Sequence, residues 1–306
     1  MIQKNKSYRT HKFLAFIFII SFLQGCSSGG PDSAKYPSIP NEIGQDFCAL
    51  DGRQYGHTVV VIDKTSTLNQ GQLDFISSHV FGEKFYGTHQ PFTKFSYLLI
   101  DSSKPTSQKY IWSACRPKKG SATKYSLKNN NNDDLNSRDE TKVFVEKEWQ
   151  NFMSDSFLIQ TRHLKPKNQT SNNSLIFETI MEVLNRPGLD FGSDYPVRNL
   201  VIVSDLMQSS RRLSFYAECK SNKHVSDPDI CPKLNTILKK NLVTKEYIDA
   251  ITPKKEVGDI NIKIVYVNNR YETKASLDET LLALWSEYFS EYGFKAPEIV
   301  RMVDLN

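Results

Sequence analysis

Apolar residues along this chain fall into three patterns. Residues 13–22 (FLAFIFIISF) are an unbroken apolar run close to the N-terminus. Residues 58–62 (TVVVI) are a shorter, β-branched run bounded by His57 and Asp63. Continuous rather than alternating apolarity predicts a strand buried on both faces, as in a parallel sheet covered by helices on each side. The third pattern is helical: Leu73, Ile76 and Val80 within residues 72–81 recur at the spacing of one helix face. Further strands are predicted at 97–100, 110–114, 200–203, 260–267 and 299–303, and further helices at 143–159, 175–184 and 277–292. This alternation predicts an α/β fold, a doubly wound, mostly parallel sheet of Rossmann-type topology with helices on both faces. Residues 120–138 are polar and Asn-rich and read as a surface insertion within the domain, not a boundary.

The first apolar run has the surroundings of an export signal. Lys4, Lys6, Arg9 and Lys12 precede it with no acidic residue among them, and it is shorter than the roughly 20 apolar residues a spanning helix needs. Leu23-Gln24-Gly25-Cys26 follows and resembles the lipobox of bacterial lipoproteins. The resemblance implies that residues 1–25 are a signal peptide, cleaved before Cys26, whose thiol takes a diacylglycerol group. Acyl chains such as palmitate would hold the protein on a membrane, since each buried methylene contributes about 0.8 kcal/mol. Residues 26–45, rich in Ser, Gly and Pro, are expected to form a flexible tether, leaving residues 46–306 as the domain. Ser27 follows the cysteine, and the sorting rule of Gram-negative lipoproteins sends such a chain to the outer membrane, facing the periplasm.

Removing the signal removes four of the 39 basic residues and none of the 34 acidic ones, so the exported chain is nearly neutral. Its charge gives no argument for nucleic acid as a partner. Four cysteines remain besides Cys26, an even number that favours disulfides in an exported protein. Cys219 and Cys231 bracket a polar loop and are expected to pair, which leaves Cys48 with Cys115. A zinc site from Cys219, His224 and Cys231 is the alternative.

The first strand ends in Asp63-Lys64-Thr65-Ser66-Thr67. Ligands of doubly wound sheets bind at the carboxyl ends of strands. One carboxylate and two hydroxyls in a single loop are hard oxygen donors suited to Mg²⁺. Residues 200–203 run into Ser204-Asp205, a second carboxylate at a strand end. Ser174 stands just before a predicted helix, with Thr170 and Ser171 as alternative hydroxyls. In this order the three elements resemble the metal-ion-dependent adhesion site of the von Willebrand factor A-like domain. That site has D-x-S-x-S after the first strand, a Thr or Ser before the third helix, and an Asp after the fourth strand. The likeness spans roughly residues 57–305. It implies that Asp63, Thr65, Thr67, Ser174 and Asp205 hold Mg²⁺ (or Mn²⁺), with one coordination position open to an Asp or Glu of a protein partner.

Two other functions compete. Asp63-Lys64-Thr65-Ser66-Thr67-Leu68 also resembles the D-K-T-G-T-L-T segment of P-type ATPases, in the haloacid dehalogenase superfamily, where the Asp is a nucleophile for phosphoryl transfer. Here Ser66 replaces the glycine, and no later strand supplies an acidic pair. The other competitor is a structural subunit of an envelope secretion or conjugation machine, with no role for metal. The chain contains no H-E-x-x-H motif and no glycine-rich phosphate loop. Arg211-Arg212 and Phe215-Tyr216 follow Asp205 closely and are placed to border a binding face.

Overall fold

The Val-rich run becomes β1 (His57–Asp63), a central strand whose seven residues are all buried in the computed structural model. The structure describes residues 46–48, 55–100, 109–117, 135–164, 173–192, 194–219, 231–240, 242–252, 257–267 and 275–302. Contacts divide the chain into units 1–38 and 39–306. The expected signal peptide, Cys26 and the tether lie outside the described residues, as do Thr170, Ser171, His224 and most of the expected insertion. Among the described residues no helix is long and apolar enough to cross a membrane.

β1 pairs in parallel with β2 (Lys94–Ile100) on one side and β4 (Arg198–Ser204) on the other. β3 (Trp112–Cys115) joins β2 in the antiparallel sense, and β5 (Ile260–Tyr266) and β6 (Glu298–Arg301) extend the sheet in parallel beyond β4. The spatial order is β3-β2-β1-β4-β5-β6. This is the doubly wound order expected from the alternation, with a reversal of winding between β1 and β4. Both edge strands have only four residues. The outer one is tied by charge, with Lys263 to Glu298 and Arg301 to Glu279.

Alternate side chains of β1 enter opposite cores. Val60 and Ile62 pack against α1 (Gln70–Ile76), α2 (Glu83–Gly87) and α3 (Leu135–His163) through Leu73, Ile76, Phe85, Trp149 and Phe152. Val59 and Val61 face α4 (Ile176–Asn185), α5 (Phe215–Glu218), α6 (Leu234–Lys240), α7 (Leu242–Ile251) and α8 (Ala275–Glu291). Full burial of each Val or Ile contributes roughly 1.5–3 kcal/mol, which suits Val59 to Ile62 to a strand covered on both faces. Two helices differ from expectation. Residues 135–138, assigned to the polar insertion, open the 29-residue α3. The helix expected at 72–81 starts at a capping box, Asn69 with Gln72, and widens into a π-helical turn at Ser77–Phe81. The buried hydroxyl of Tyr97 donates to the Val80 carbonyl there, so the wider turn keeps a partner for its backbone.

Cys48 is joined to Cys115, the last residue of β3, and Cys219 to Cys231. The second bond leaves no thiolates for the zinc alternative. At the amino ends of the strands His57 is fully buried in a ring of Tyr110, Phe191 and Tyr195. Its Nδ1 lies 2.8 Å from the Asp190 carbonyl, which can only accept, so Nδ1 carries the proton. Nε2 then accepts from Ser96 Oγ at 2.9 Å. Burial, with the charge of Lys94, pushes the ring's pKa down to about 3 and holds it neutral.

Candidate metal-binding site

The carboxyl ends of β1 and β4 are adjacent because Ile62 pairs with Val203. That register places Asp63 beside Ser204, and the chain beyond each strand supplies Thr65, Ser66 and Asp205. Asp63 is the hub. Its Oδ1 accepts the Thr65 backbone N–H at 2.9 Å and the Thr65 hydroxyl at 2.6 Å. Its Oδ2 accepts the hydroxyls of Ser174 at 2.7 Å and Ser204 at 2.9 Å. A carboxylate has about four acceptor positions, so these bonds saturate it. Three separate segments meet on one buried side chain.

Ser174 reaches the hub because the chain before α4 is clipped to the loop after β4. Ser174 N–H donates to the Ser209 carbonyl at 2.9 Å, and Ser209 N–H returns to Ser174 at 2.7 Å. The amide of buried Gln208 caps α4, accepting Phe177 N–H at 2.9 Å and donating to Glu178 at 2.9 Å. Ser204 Oγ also accepts Leu206 N–H at 2.8 Å, and Asp205 Oδ1 accepts Met207 N–H at 3.0 Å. Between them Leu206 has φ 61°, a left-handed conformation rare for a branched residue. The buried Trp285 indole holds the turn by donating to the Leu206 carbonyl at 3.0 Å.

A small cleft opens between the two carboxylates, lined by Asp63, Ser66, Ser204 and Asp205 over a floor of Leu68, Ile76, Val203 and Val267. Its volume of about 10 Å³ is close to what one water requires. Ser66 Oγ approaches Asp205 Oδ2 at 3.4 Å. The expected residues therefore divide. Asp63 and Asp205 face the cleft. Thr65 and Ser174 are buried and hold Asp63 without lining the cleft, and Thr67 is exposed. Ser66 and Ser204, which were not among the expected ligands, supply the cleft's hydroxyls.

The donor set suits a hard divalent cation. Every polar residue lining the cleft offers oxygen, two of the four are carboxylates, and none is basic. No group of three or more His, Cys, Asp or Glu that could hold a metal occurs among the described residues, so hydroxyls must complete the set. A hydroxyl donating to Asp63 keeps lone pairs for an ion, and turning one hydrogen away frees a carboxylate position.

The strand order, the one antiparallel edge strand and these three converging segments define the architecture. The fold is von Willebrand factor A-like. The hub sits at the carboxyl edge of the sheet, between β1 and β4, where the winding reverses. No protein-family model matches the chain, and no curated protein does. Among solved structures, an aerotolerance-related membrane protein from Bacteroides fragilis, carrying multiple mutations to serine, is similar over 81% of this chain and 92% of its own. The identity is 8% and the TM-score 0.37, a likeness too low to assign family or activity.

Proposed function

We propose that this A-like domain binds an acidic side chain of a protein partner through Mg²⁺ (or Mn²⁺) at the Asp63–Asp205 cleft. One observation carries the reading: two carboxylates, Asp63 at the end of β1 and Asp205 just beyond β4, line a cleft that contains no basic residue. Asp63, Asp205, Ser66 and Ser204 would hold the ion, with Thr65 and Ser174 fixing Asp63 from its buried side and Thr67 outside. The ion would supply an open coordination position for a carboxylate. The reading is of binding and not of phosphoryl transfer, because Ser66 stands where the aspartyl-phosphate motif has glycine and no later strand among the described residues ends in an acidic pair.

The lipobox at Leu23-Gln24-Gly25-Cys26 makes the domain part of a lipoprotein, anchored through acylated Cys26 in the outer membrane and facing the periplasm. Calorimetric titration of Mg²⁺ into wild type and Asp205→Asn tests the site. The substitution keeps the acceptor for Met207 N–H and removes one charge. Heat from wild type and none from the variant supports the reading. No heat from wild type refutes it and leaves a metal-free structural subunit of an envelope machine.

A further inference from the structure

The face of α3 turned away from the sheet carries apolar side chains that nothing in the core uses. Two consecutive residues of this helix, Phe157 and Leu158, are 60% and 51% exposed. Single exposed apolar residues are ordinary, but a contiguous pair marks a contact surface. The helix buries Trp149, Phe152 and Ser156. At about 100° per residue, Phe157 and Leu158 turn away from that stripe, with exposed Ser154 and half-buried Thr161 between them. The Thr161 hydroxyl donates to the Leu158 carbonyl at 3.1 Å, so it keeps a partner when water leaves. Asp155 and Arg162, both exposed, flank Leu158 with opposite charges, so the face is apolar and not a patch of one sign.

The chain enters the domain against this same helix. Phe47, among the first described residues, sets its ring edge-on to Phe152 with centroids 6.2 Å apart, and the adjoining Cys48 is bonded to Cys115. Phe157 lies five residues further along α3, about 7.5 Å along its axis. Cys26 precedes Phe47 by 21 residues in the sequence. A flexible segment of that length spans about 25 Å on average, little more than the radius of gyration of about 18 Å for a domain of this size. An anchor at Cys26 would therefore keep the domain within touch of its bilayer. At its other end α3 meets the cleft loop, because Lys64, next to Asp63, donates to the His163 carbonyl.

We propose that Phe157 and Leu158 seat the domain on the lipid bilayer, entering the boundary between headgroups and acyl chains while the chain is held there through Cys26. The inference rests on the acylation of Cys26 and needs no metal at the cleft. Two partly exposed side chains give a weak, reversible contact by themselves. The acyl anchor supplies the proximity that makes this contact effective, and the helix supplies orientation. With α3 lying on the bilayer, the cleft loop at its C-terminal end is held beside the membrane instead of swinging on a tether. A partner would then meet the cleft close to the surface.

The test uses the chain from Cys26 onward, with Cys26 coupled to a maleimide phospholipid in phosphatidylcholine vesicles, so that proximity does not depend on acylation in the cell. The other four cysteines are paired in disulfides and do not couple. Leu158→Trp adds an indole to the α3 face. Tyr216→Trp adds one at a similarly exposed site, 56% against 51%, on the opposite layer of the domain. Phosphatidylcholine brominated on its acyl chains quenches an indole that enters the bilayer. Relative to wild type, the emission added by Leu158→Trp should shift to the blue and be largely lost in brominated vesicles, while that added by Tyr216→Trp stays unchanged. No quenching of Leu158→Trp overturns the proposal, and so does equal quenching of both, which would mean a domain with no preferred face. A blue shift without quenching also overturns it, since the face would then meet another copy of the protein. Palmitate labelling decides the natural anchor separately. Quenching confined to Leu158→Trp, with no labelling of Cys26 in cells, upholds the membrane-seeking face and removes the acylation.

Discussion

Replacing Asp63 separates a hub from an ornament. Asp63→Ala leaves the Thr65 N–H and the hydroxyls of Thr65, Ser174 and Ser204 without their acceptor, all of them in buried residues. A hydrogen bond to a charged acceptor contributes about 1.5–3 kcal/mol, but the contributions do not add, because freed hydroxyls can turn elsewhere. The Thr65 N–H cannot turn. A net cost of about 4 kcal/mol follows, a large fraction of the roughly 5–15 kcal/mol that holds a domain folded. At about 2–4 °C per kcal/mol for a domain of this size, the melting temperature should fall by about 8–16 °C. Asp63→Asn is a graded control. Its carbonyl can stay toward the Thr65 N–H while Ser174 and Ser204 rotate to accept from its amide, so the loss should be about 1–2 kcal/mol. Differential scanning calorimetry without and with Mg²⁺ reads both arms. Saturating Mg²⁺ at about a hundred times its Kd should stabilise wild type by about 2.7 kcal/mol and neither variant. A melting temperature of Asp63→Ala within about a degree of wild type would refute the hub. So would Mg²⁺ stabilising the variants as it does wild type.

Three further outcomes are expected. Metabolic labelling with a clickable palmitate should mark wild type and spare Cys26→Ala, and equal labelling of both would remove the anchor. Acid should weaken the fold through His57: its folded pKa of about 3 lies below the ordinary 6.5, so the unfolded chain binds the extra proton. The stabilisation is complete above about pH 6.5 and is lost as the pH falls from there toward 3. Urea midpoints across that window should decline less steeply in His57→Gln, and an unchanged slope would refute the assignment. Arg116 is buried with Nε and Nη1 lacking hydrogen-bond partners, set only 5.4 Å from the Trp149 ring centroid. Arg116→Met should therefore preserve or raise the melting temperature, whereas a fall of several degrees would reveal an acidic partner for the guanidinium.

The sheet was legible where burial on both faces imposed one kind of residue over several positions, as at Val59, Val60, Val61 and Ile62. The three site segments were legible because each lies at the end of such a run or before an amphipathic helix. Their division of labour was not. Ser204 becomes a partner of Asp63 only through the pairing of Ile62 with Val203, a register that no local pattern encodes. Thr65, Ser66 and Thr67 look equivalent in a linear motif, and only the turn of the loop sends Thr65 inward, Ser66 to the cleft and Thr67 outward. α6 and α7 went unread for a different reason. Their buried residues, such as Leu234, Ile237, Leu238 and Ile248, are few and are separated by polar and lysine-rich stretches. The π-helical turn depends on Tyr97, a residue on another element.

The two rims of the sheet bear on how copies of this molecule meet one another. Under the proposed acylation of Cys26, copies would meet in two dimensions, at high local density, where a long bare strand would invite one copy to zip onto the next. β3 is short and is fastened at its last residue to Cys48. β6 is equally short, and its Glu298 and Arg301 are engaged in ion pairs that would have to be rearranged before a neighbour could dock. Crowding under that proposed anchor should therefore leave the copies separate, without polymerisation through the edges of the sheet.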